Sequence, residues 1–210
     1  MNPSELRKLL LSRATVAGLF LDDALMDRLQ TYFRLLAHWN ARINLTGFSL
    51  NSPTAQAVDR LLVEPMLMTR ALTYPIDLWF DLGSGGGSPA IPIQLYKPAA
   101  LLVLVESKGR KAAFLREVSR ELGLGQVEVE ASRIESVAAG HPRAGTADLV
   151  TIRAVRPSDA VLTAVQTLLR KGGQAAVMGS TAAIATPIGL QVVPTDEFAL
   201  TPSMRLLSKL

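Results

Sequence analysis

The stretch Asp81-Leu82-Gly83-Ser84-Gly85-Gly86-Gly87-Ser88-Pro89 separates an apolar run that starts at Ile76 from a helix-like segment. Glycine permits positive φ and lets a ligand approach the main chain without a Cβ in the way. We expect Ser88 to cap the next helix and Pro89 to take its first position. A strand, a glycine turn and a helix in this order are typical of nucleotide-type cofactor sites, although turns that only reverse the chain are about as common.

The spacing of the glycines narrows the class of cofactor. A Rossmann dehydrogenase fingerprint has glycine or alanine five residues after its first glycine, and this chain has Ser88 there. The Gly-x-Gly-x-Gly pattern behind Asp81 instead resembles the first motif of S-adenosylmethionine-dependent methyltransferases. It implies S-adenosyl-L-methionine as the cofactor, with Gly83, Gly85 and Ser88 at its binding site. A nicotinamide dehydrogenase is the less favoured alternative.

Composition sets the limits for the protein class. The chain has 210 residues, of which 49% are hydrophobic, so it can bury a core as one domain with an appendage. It has neither an apolar run of membrane-spanning length nor an export signal, which predicts a soluble, cytoplasmic protein without membrane contact. The absence of cysteine and the presence of only two histidines argue against a metal site. A mild excess of 22 Lys and Arg over 18 Asp and Glu is compatible with a polyanionic partner.

The chain divides into two regions. Residues 2 to about 47 have a helical pattern, with Asn2 as a cap and Pro3 at the first helical position. A second helix starts at Asp22-Asp23, and its apolar stripe runs from Leu25 to Ile43. We therefore divide the chain into an N-terminal helical extension (1–70) and an α/β core (71–210).

From Ile76 onward, apolar strands alternate with amphipathic helices, which predicts a parallel sheet covered on both faces. The predicted strands are 76–82, 101–106, 126–130, 148–152 and 174–179, and the predicted helices are 89–96, 107–122, 133–138 and 158–170. Short apolar runs at 190–193 and 204–207 predict a terminal hairpin that closes the sheet with an antiparallel last strand.

Glu106 ends the second strand, 23 residues after Gly83. A carboxylate roughly 20 residues after the glycine turn is placed to accept hydrogen bonds from both ribose hydroxyls of a cofactor. Its position predicts an adenosine-type cofactor, and the alternative is a solvent-facing helix cap.

A basic rim is predicted at the same edge of the sheet. Arg110 and Lys111 fall in the first turn of a helix, where the macrodipole disfavours cations, so we expect them to bind phosphate. Arg133, Arg153 and Arg156 follow predicted strand ends on that side, where open α/β sheets bind ligands. The rim indicates an anionic substrate.

Five co-linear motifs between about residues 20 and 179 resemble one family. They are Trp39-Asn40-Ala-Arg-Ile-Asn44-Leu45-Thr46, the glycine turn at 81–89, Gly109-Arg-Lys-Ala-Ala-Phe114-Leu, Ser132-Arg-Ile-Glu135 and Arg153-Ala154. They are similar to motifs of RsmG, also called GidB, the bacterial methyltransferase family of guanine N7 in 16S ribosomal RNA. The resemblance implies a class I S-adenosylmethionine-dependent methyltransferase fold, Rossmann-like, with a mostly parallel seven-stranded sheet and helices on both faces.

By motif position, the resemblance also implies cofactor contacts at Gly83, Ser88, Ile134, Glu135 and Arg153. Its implied partner is 16S ribosomal RNA or the small ribosomal subunit, and we expect the protein to act as a monomer. A small-molecule methyltransferase, and a family member that binds cofactor without catalysis, are the alternatives.

The chemistry of guanine N7 needs no general base, because N7 has a free lone pair and no proton, and we assign no catalytic residue. We expect Asn44 and Thr46 near the base, and Arg110 and Lys111 at backbone phosphates. Asn44 as a turn residue that bonds its own backbone is an equal alternative. Arg153 is expected to bind the methionine carboxylate or an RNA phosphate, with a structural ion pair as the alternative.

Three departures from the family pattern bear on activity. Arg60 and Val63 stand where the family has histidine and aspartate, and Met178 stands where it has lysine. Gly86 replaces the usual proline of the loop. Gly86 is the milder change, whereas loss of a lysine or aspartate that places the RNA would alter the substrate or weaken the activity.

Overall fold

The computed structural model describes residues 3–154, 158–179, 189–193 and 204–210. Between residues 3 and 68 the described elements are all helical and are joined by loops. They are α1 (Pro3–Val16), α2 (Asp23–Asn40), α3 (Ala55–Val58), a π-helical turn (Asp59–Val63) and α4 (Glu64–Met68). None of the helices within the described ranges combines the length and the apolar character needed to cross a bilayer.

Within the described residues, seven strands form a single sheet in the order β3-β2-β1-β4-β5-β7-β6. They are β1 (Leu78–Leu82), β2 (Leu101–Val105), β3 (Val127–Glu130), β4 (Ala147–Arg153), β5 (Leu169–Met178), β6 (Leu190–Val193) and β7 (Met204–Lys209). The first five strands pair in parallel, whereas β7 runs antiparallel to both β5 and β6. The predicted mostly parallel sheet with an antiparallel closing strand is confirmed.

Helices cover both faces of the sheet, as predicted. The helices that connect the strands are α5 (Ala90–Tyr96), α6 (Gly109–Glu121), α7 (Ile134–Gly140) and α8 (Asp159–Leu168). Trp79 faces a hydrophobic cluster that includes α1, α2, α5 and α6, while its neighbour Phe80 faces a second cluster with α7 and α8. Burying each of these rings contributes about 1.5–3 kcal/mol. The N-terminal helices thus pack on the sheet itself, and our division of the chain at residue 70 remains a prediction.

The start of α2 is confirmed, but its predicted end is wrong. Asp22 is the N-cap and accepts a hydrogen bond from the N–H of Leu25 at 2.7 Å. The helix ends at Asn40 instead of continuing to Ile43, because the Asn40 side chain accepts hydrogen bonds from the N–H groups of Leu45 and Thr46, both at 2.9 Å. Those bonds turn the chain away from the helix axis.

The predicted start of the helix after the glycine loop is also wrong. Pro89 occupies the N-cap position, and α5 begins at Ala90 without a side-chain cap. The hydroxyl of Ser88 does not cap the helix, because it donates a hydrogen bond to the carbonyl of Leu61 at 2.9 Å. Pro3 begins α1, as expected, while the predicted cap Asn2 lies outside the described residues.

Candidate cofactor and substrate site

Two cavities adjoin at Gly83, at the carboxyl ends of the parallel strands. The first, which we name the Glu106 cavity, has a volume of about 350 Å³ and lies between the ends of β2 and β3. The second, the Arg153 cavity, has a volume of about 450 Å³ and extends from the loop after β1 to the loop after α2. This is the edge at which open α/β sheets bind their ligands.

The glycine loop needs its glycines at two positions in particular. Gly85 has φ of +49°, and its N–H donates a hydrogen bond to Oε2 of Glu106 at 2.9 Å. Gly87 has φ of +84°, and a Cβ on it would lie 2.9 Å from Cγ1 of Ile91. The left-handed conformation and the close packing on α5 together require glycine at position 87.

The carboxylate of Glu106 is buried and fixed by the backbone. Besides the Gly85 N–H, it accepts the N–H of Lys108 at 2.7 Å through Oε1. The residue is only 6% exposed, so the alternative of a solvent-facing cap is wrong. Each carboxylate oxygen has a second lone pair, so Glu106 can still accept two hydroxyl donors from a ligand in the cavity.

Ser132 supports the fit of an adenosine group in the Glu106 cavity. Its hydroxyl is buried and has no hydrogen-bond partner within the part of the chain that the structure describes. Ser132, Ile134 and Glu135 line this cavity together with Glu106. Because a buried polar atom without a partner is costly, a ligand with ring nitrogens or hydroxyls would satisfy it.

The Arg153 cavity brings together side chains from distant parts of the chain. Asn44 and Thr46 come from the loop after α2, Lys111 from the first turn of α6, and Arg153 from the end of β4. Asn40 holds this loop through its two backbone hydrogen bonds. Among the described bonds, Asn40 therefore performs the turn-forming role that we had considered for Asn44, which is exposed at the cavity.

Arg153 is anchored inside its cavity. Its Nη1 donates a hydrogen bond to the hydroxyl of Ser88 at 2.8 Å. Burial lowers the pKa of Arg153, and the nearby carboxylate of Glu64 opposes that shift. Glu64 itself is buried and accepts a hydrogen bond from Nη1 of Arg60 at 2.9 Å. Burial raises the pKa of Glu64, and Arg60 opposes that shift.

Asp81 lies beneath the loop rather than in either cavity. Its carboxylate accepts a hydrogen bond from the hydroxyl of Thr151, which in turn accepts the indole N–H of Trp79 at 2.9 Å. Burial raises the pKa of Asp81 to about 6. Tyr32 supports the loop from the other side, since its hydroxyl donates to the carbonyl of Gly86 at 2.6 Å. Burial also raises the pKa of Tyr32.

The structure gathers most of the predicted site residues. The Glu106 cavity contains Gly83, Glu106, Ile134 and Glu135, and the Arg153 cavity contains Gly83, Asn44, Thr46, Ser88, Lys111 and Arg153. Gly85 contributes its N–H to Glu106. Arg110 is exposed on α6 and lines neither cavity, whereas Arg133 lines the Glu106 cavity. Arg156 lies outside the described residues.

The residues that support the glycine loop and the Arg153 cavity were not identified from the sequence. Tyr32 falls within the apolar stripe from Leu25 to Ile43, yet its hydroxyl supports the loop at Gly86. Arg60 enters the sequence analysis only as a departure from a family pattern and Glu64 has no role there, yet the two form a partly buried ion pair at the Arg153 cavity. Their four-residue spacing was the available signal.

Comparison with known proteins agrees with this arrangement. The family model described as GidB, rRNA small subunit methyltransferase G, matches residues 25–185. The ribosomal RNA small subunit methyltransferase G of Stenotrophomonas maltophilia (strain K279a) is 36% identical over 162 residues, which cover 75% of this chain and 70% of that protein. The protein of the same name from Xanthomonas axonopodis pv. citri (strain 306) is 34% identical over 187 residues, which cover 87% of this chain and 77% of that protein.

The fold of this chain is also similar to that of solved structures. The methyltransferase candidate yhhF from Escherichia coli superposes with a TM-score of 0.58 at 16% identity, over 70% of this chain and 84% of that chain. At this identity the likeness shows the fold alone, and it confirms the predicted class I, Rossmann-like methyltransferase architecture. With the family model and the two relatives, it confirms the resemblance found in the motifs: the chain belongs to the GidB family of rRNA small subunit methyltransferase G.

Proposed function

We propose that this protein transfers the methyl group of S-adenosyl-L-methionine to N7 of a guanine in 16S ribosomal RNA. The observation that supports this most directly is the meeting of the two cavities at Gly83. One contains the buried carboxylate of Glu106, which suits a ribose, and the other is lined by Arg60, Lys111 and Arg153, which suit a polyanion. We further propose that the protein acts as a cytoplasmic monomer on the RNA or on the small ribosomal subunit.

The Glu106 cavity would hold the adenosine part of the cofactor. Glu106 would accept both ribose hydroxyls, while Ser132, Ile134 and Glu135 would contact the base. Gly83 and Gly85 allow the ligand to approach the main chain. When bound, the cofactor supplies an electrophilic methyl group on a sulfonium centre. Ser88 and Arg153 lie on the other side of Gly83, where the methionine part would extend.

The RNA would enter from the side of the Arg153 cavity. Asn44 and Thr46 offer uncharged hydrogen-bonding groups for the guanine, which avoids a cation against a base that is becoming positive. Lys111 lies in the same cavity, and exposed Arg110 precedes it on α6, so the two could bind successive phosphates. Phosphate contacts of this kind position the substrate, whereas contacts to the base select it.

The reaction requires alignment rather than proton transfer. Guanine N7 attacks through its free lone pair, so no side chain has to remove a proton. Holding N7 about 3–3.5 Å from the methyl carbon can lower the barrier by about 7–11 kcal/mol relative to free encounter. The tasks of this chain's residues are therefore to bind, to orient and to exclude water.

Methyl transfer to purified substrates tests the proposal. Small subunits and bare 16S rRNA from a strain that lacks this modification are incubated with the protein and labelled S-adenosyl-L-methionine. We expect label in N7-methylguanosine, and Arg120→Gln, an exposed substitution on α6 outside both cavities, should retain it. Cofactor binding without label in either RNA substrate would contradict the proposal and favour a small-molecule substrate.

A binding protein without catalysis is the second alternative, and Met178 allows a test of it. This residue is 5% exposed and packs in the hydrophobic cluster, where the family has a lysine. Its partner in the parallel register is Arg153. Activity that appears only in Met178→Lys would favour the non-catalytic alternative, provided that the unfolding free energy is measured in parallel, because the lysine would be buried.

A further inference from the structure

Arg60 and Glu64 form a charged pair at the Arg153 cavity that the family pattern does not account for. Arg60 lines the cavity, and its side chain is 34% exposed. Glu64 lies behind it, with a side chain only 7% exposed, and accepts the Arg60 hydrogen bond at 2.9 Å. The carboxylate therefore fixes the guanidinium while leaving its outer face toward the cavity.

The pair also acts on Arg153. Burial lowers the pKa of Arg153, Glu64 opposes that shift and Arg60 adds to it. Because Arg60 and Arg153 also line the same cavity, the three groups form one electrostatic cluster. Within the described part of the chain, Nη1 of Arg60 bonds Glu64 and Nη1 of Arg153 bonds Ser88. A guanidinium has five N–H donors, so each arginine keeps donors for a ligand.

We propose that Arg60 and Arg153 together form an oxyanion subsite in the Arg153 cavity, with Glu64 as the positioning residue that orients Arg60. Two guanidinium groups that line one cavity, with a single carboxylate paired to one of them, leave an excess positive charge at the surface of the cavity. A carboxylate or phosphate binds such groups through charge-assisted hydrogen bonds. The inference rests on the proposed function, because that function supplies two sources of an oxyanion: the carboxylate of the cofactor and a phosphate of the RNA.

Binding measurements distinguish the two sources without requiring methyl transfer. Calorimetry gives the affinities for S-adenosyl-L-methionine and for its decarboxylated form, and titration over a range of salt concentrations gives the affinity for 16S rRNA. If the carboxylate is the ligand, Arg60→Gln weakens binding of the intact cofactor about tenfold and leaves the decarboxylated form unchanged. If a phosphate is the ligand, both cofactor forms bind as before, while RNA affinity falls and its salt dependence decreases by about one unit of slope.

The double variant Arg60→Gln/Glu64→Gln separates binding from a merely structural role. Arg60→Gln alone leaves Glu64 buried without its partner, which can destabilise the fold. The double variant removes both charges, and we expect it to lose affinity for the same ligand as Arg60→Gln does. Full recovery in the double variant, equal loss for all three ligands, or no loss in Arg60→Gln would overturn the inference. Arg120→Gln is the matched surface control. Absence of methyl transfer with these selective losses intact would count against the proposed function and not against the subsite.

Discussion

The guanidinium of Arg153 donates a hydrogen bond of 2.8 Å to the hydroxyl of Ser88, which joins the end of β4 to the loop after β1. The same hydroxyl donates to the carbonyl of Leu61 at 2.9 Å. One small side chain thus connects the sheet, the glycine loop and the N-terminal helical region around a single cavity. This connection explains why the hydroxyl is not free to cap α5.

Replacing Ser88 with alanine should weaken cofactor binding. The substitution removes the acceptor that holds Arg153 and the donor to Leu61, so we expect the unfolding free energy to fall by about 1–2 kcal/mol and the cofactor affinity to fall about tenfold. Calorimetry and urea unfolding measure the two effects. Ser119→Ala is the matched control, since that hydroxyl bonds only the Leu115 carbonyl among the described groups. Equal cofactor affinities in the two variants would contradict the role of Ser88.

Glu106→Gln should reduce cofactor affinity more strongly. The carboxylate holds two backbone N–H groups and is proposed to accept two ribose hydroxyls, and an amide cannot replace all four acceptor interactions. Loss of charged hydrogen bonds worth about 1.5–3 kcal/mol predicts that the cofactor affinity falls by about 10- to 150-fold. The control is Glu117→Gln on α6, outside both cavities. Wild-type affinity of Glu106→Gln in calorimetry would refute ribose binding by this residue.

Sequence periodicity predicted the sheet because alternating strands and helices leave a regular pattern of apolar residues. It could not predict the end of α2, because the apolar stripe continues to Ile43 while the Asn40 side chain turns the backbone. Capping rules failed at Ser88 for a similar reason. They consider local neighbours, whereas Arg153 and Leu61, distant in sequence, determine the bonds of that hydroxyl.

In the site, too, residues with a local sequence signature were predictable and residues placed by their contacts were not. Gly83 and Glu106 were predictable because strand ends and glycine turns have sequence signatures. Val63 stands where the family has an aspartate, and the structure shows a carboxylate one residue later, at Glu64, paired with Arg60. The four-residue spacing of this pair is typical of neighbours on a helix, whereas the π-helical turn at Asp59–Val63 that contains Arg60 has no pattern in the sequence.

The buried carboxyl of Asp81 predicts a particular pH dependence of stability. Burial raises its pKa from 3.8 to about 6, so the folded state binds this proton more tightly than the unfolded state does. The Asp81 contribution to the unfolding free energy therefore falls as pH rises from about 4 to about 6, by up to about 3 kcal/mol. Asp81→Asn lacks this dependence.

Urea unfolding of the wild type and Asp81→Asn at several pH values between about 4 and 7 measures the effect. The unfolding free energy of Asp81→Asn minus that of the wild type should increase with pH over this interval. Other groups, such as Glu64, titrate in both proteins, so their contributions cancel in the difference. A difference that does not change with pH would show that Asp81 has an ordinary pKa.

Two glycine substitutions should have opposite effects on stability. Gly87→Ala places a Cβ 2.9 Å from Cγ1 of Ile91 at a positive φ, and we expect a loss of about 2–4 kcal/mol. Gly109→Ala, in the first turn of α6, should stabilise by about 0.4–1 kcal/mol, because an added Cβ would meet no atom within 4 Å apart from its chain neighbours and its own helix backbone. Urea unfolding curves compare the two, and a Gly87→Ala variant as stable as the wild type would contradict the described loop geometry.

Methylation of guanine N7 in 16S rRNA is the activity that we propose for this chain. The most direct measurement maps N7-methylguanosine in the 16S rRNA of a strain that lacks its own enzyme for this modification and expresses either this chain or its Glu106→Gln variant. We expect N7-methylguanosine with the wild-type chain and a strongly reduced amount with the variant. A 16S rRNA without N7-methylguanosine, in cells where the folded wild-type chain is present and binds S-adenosyl-L-methionine, would contradict it.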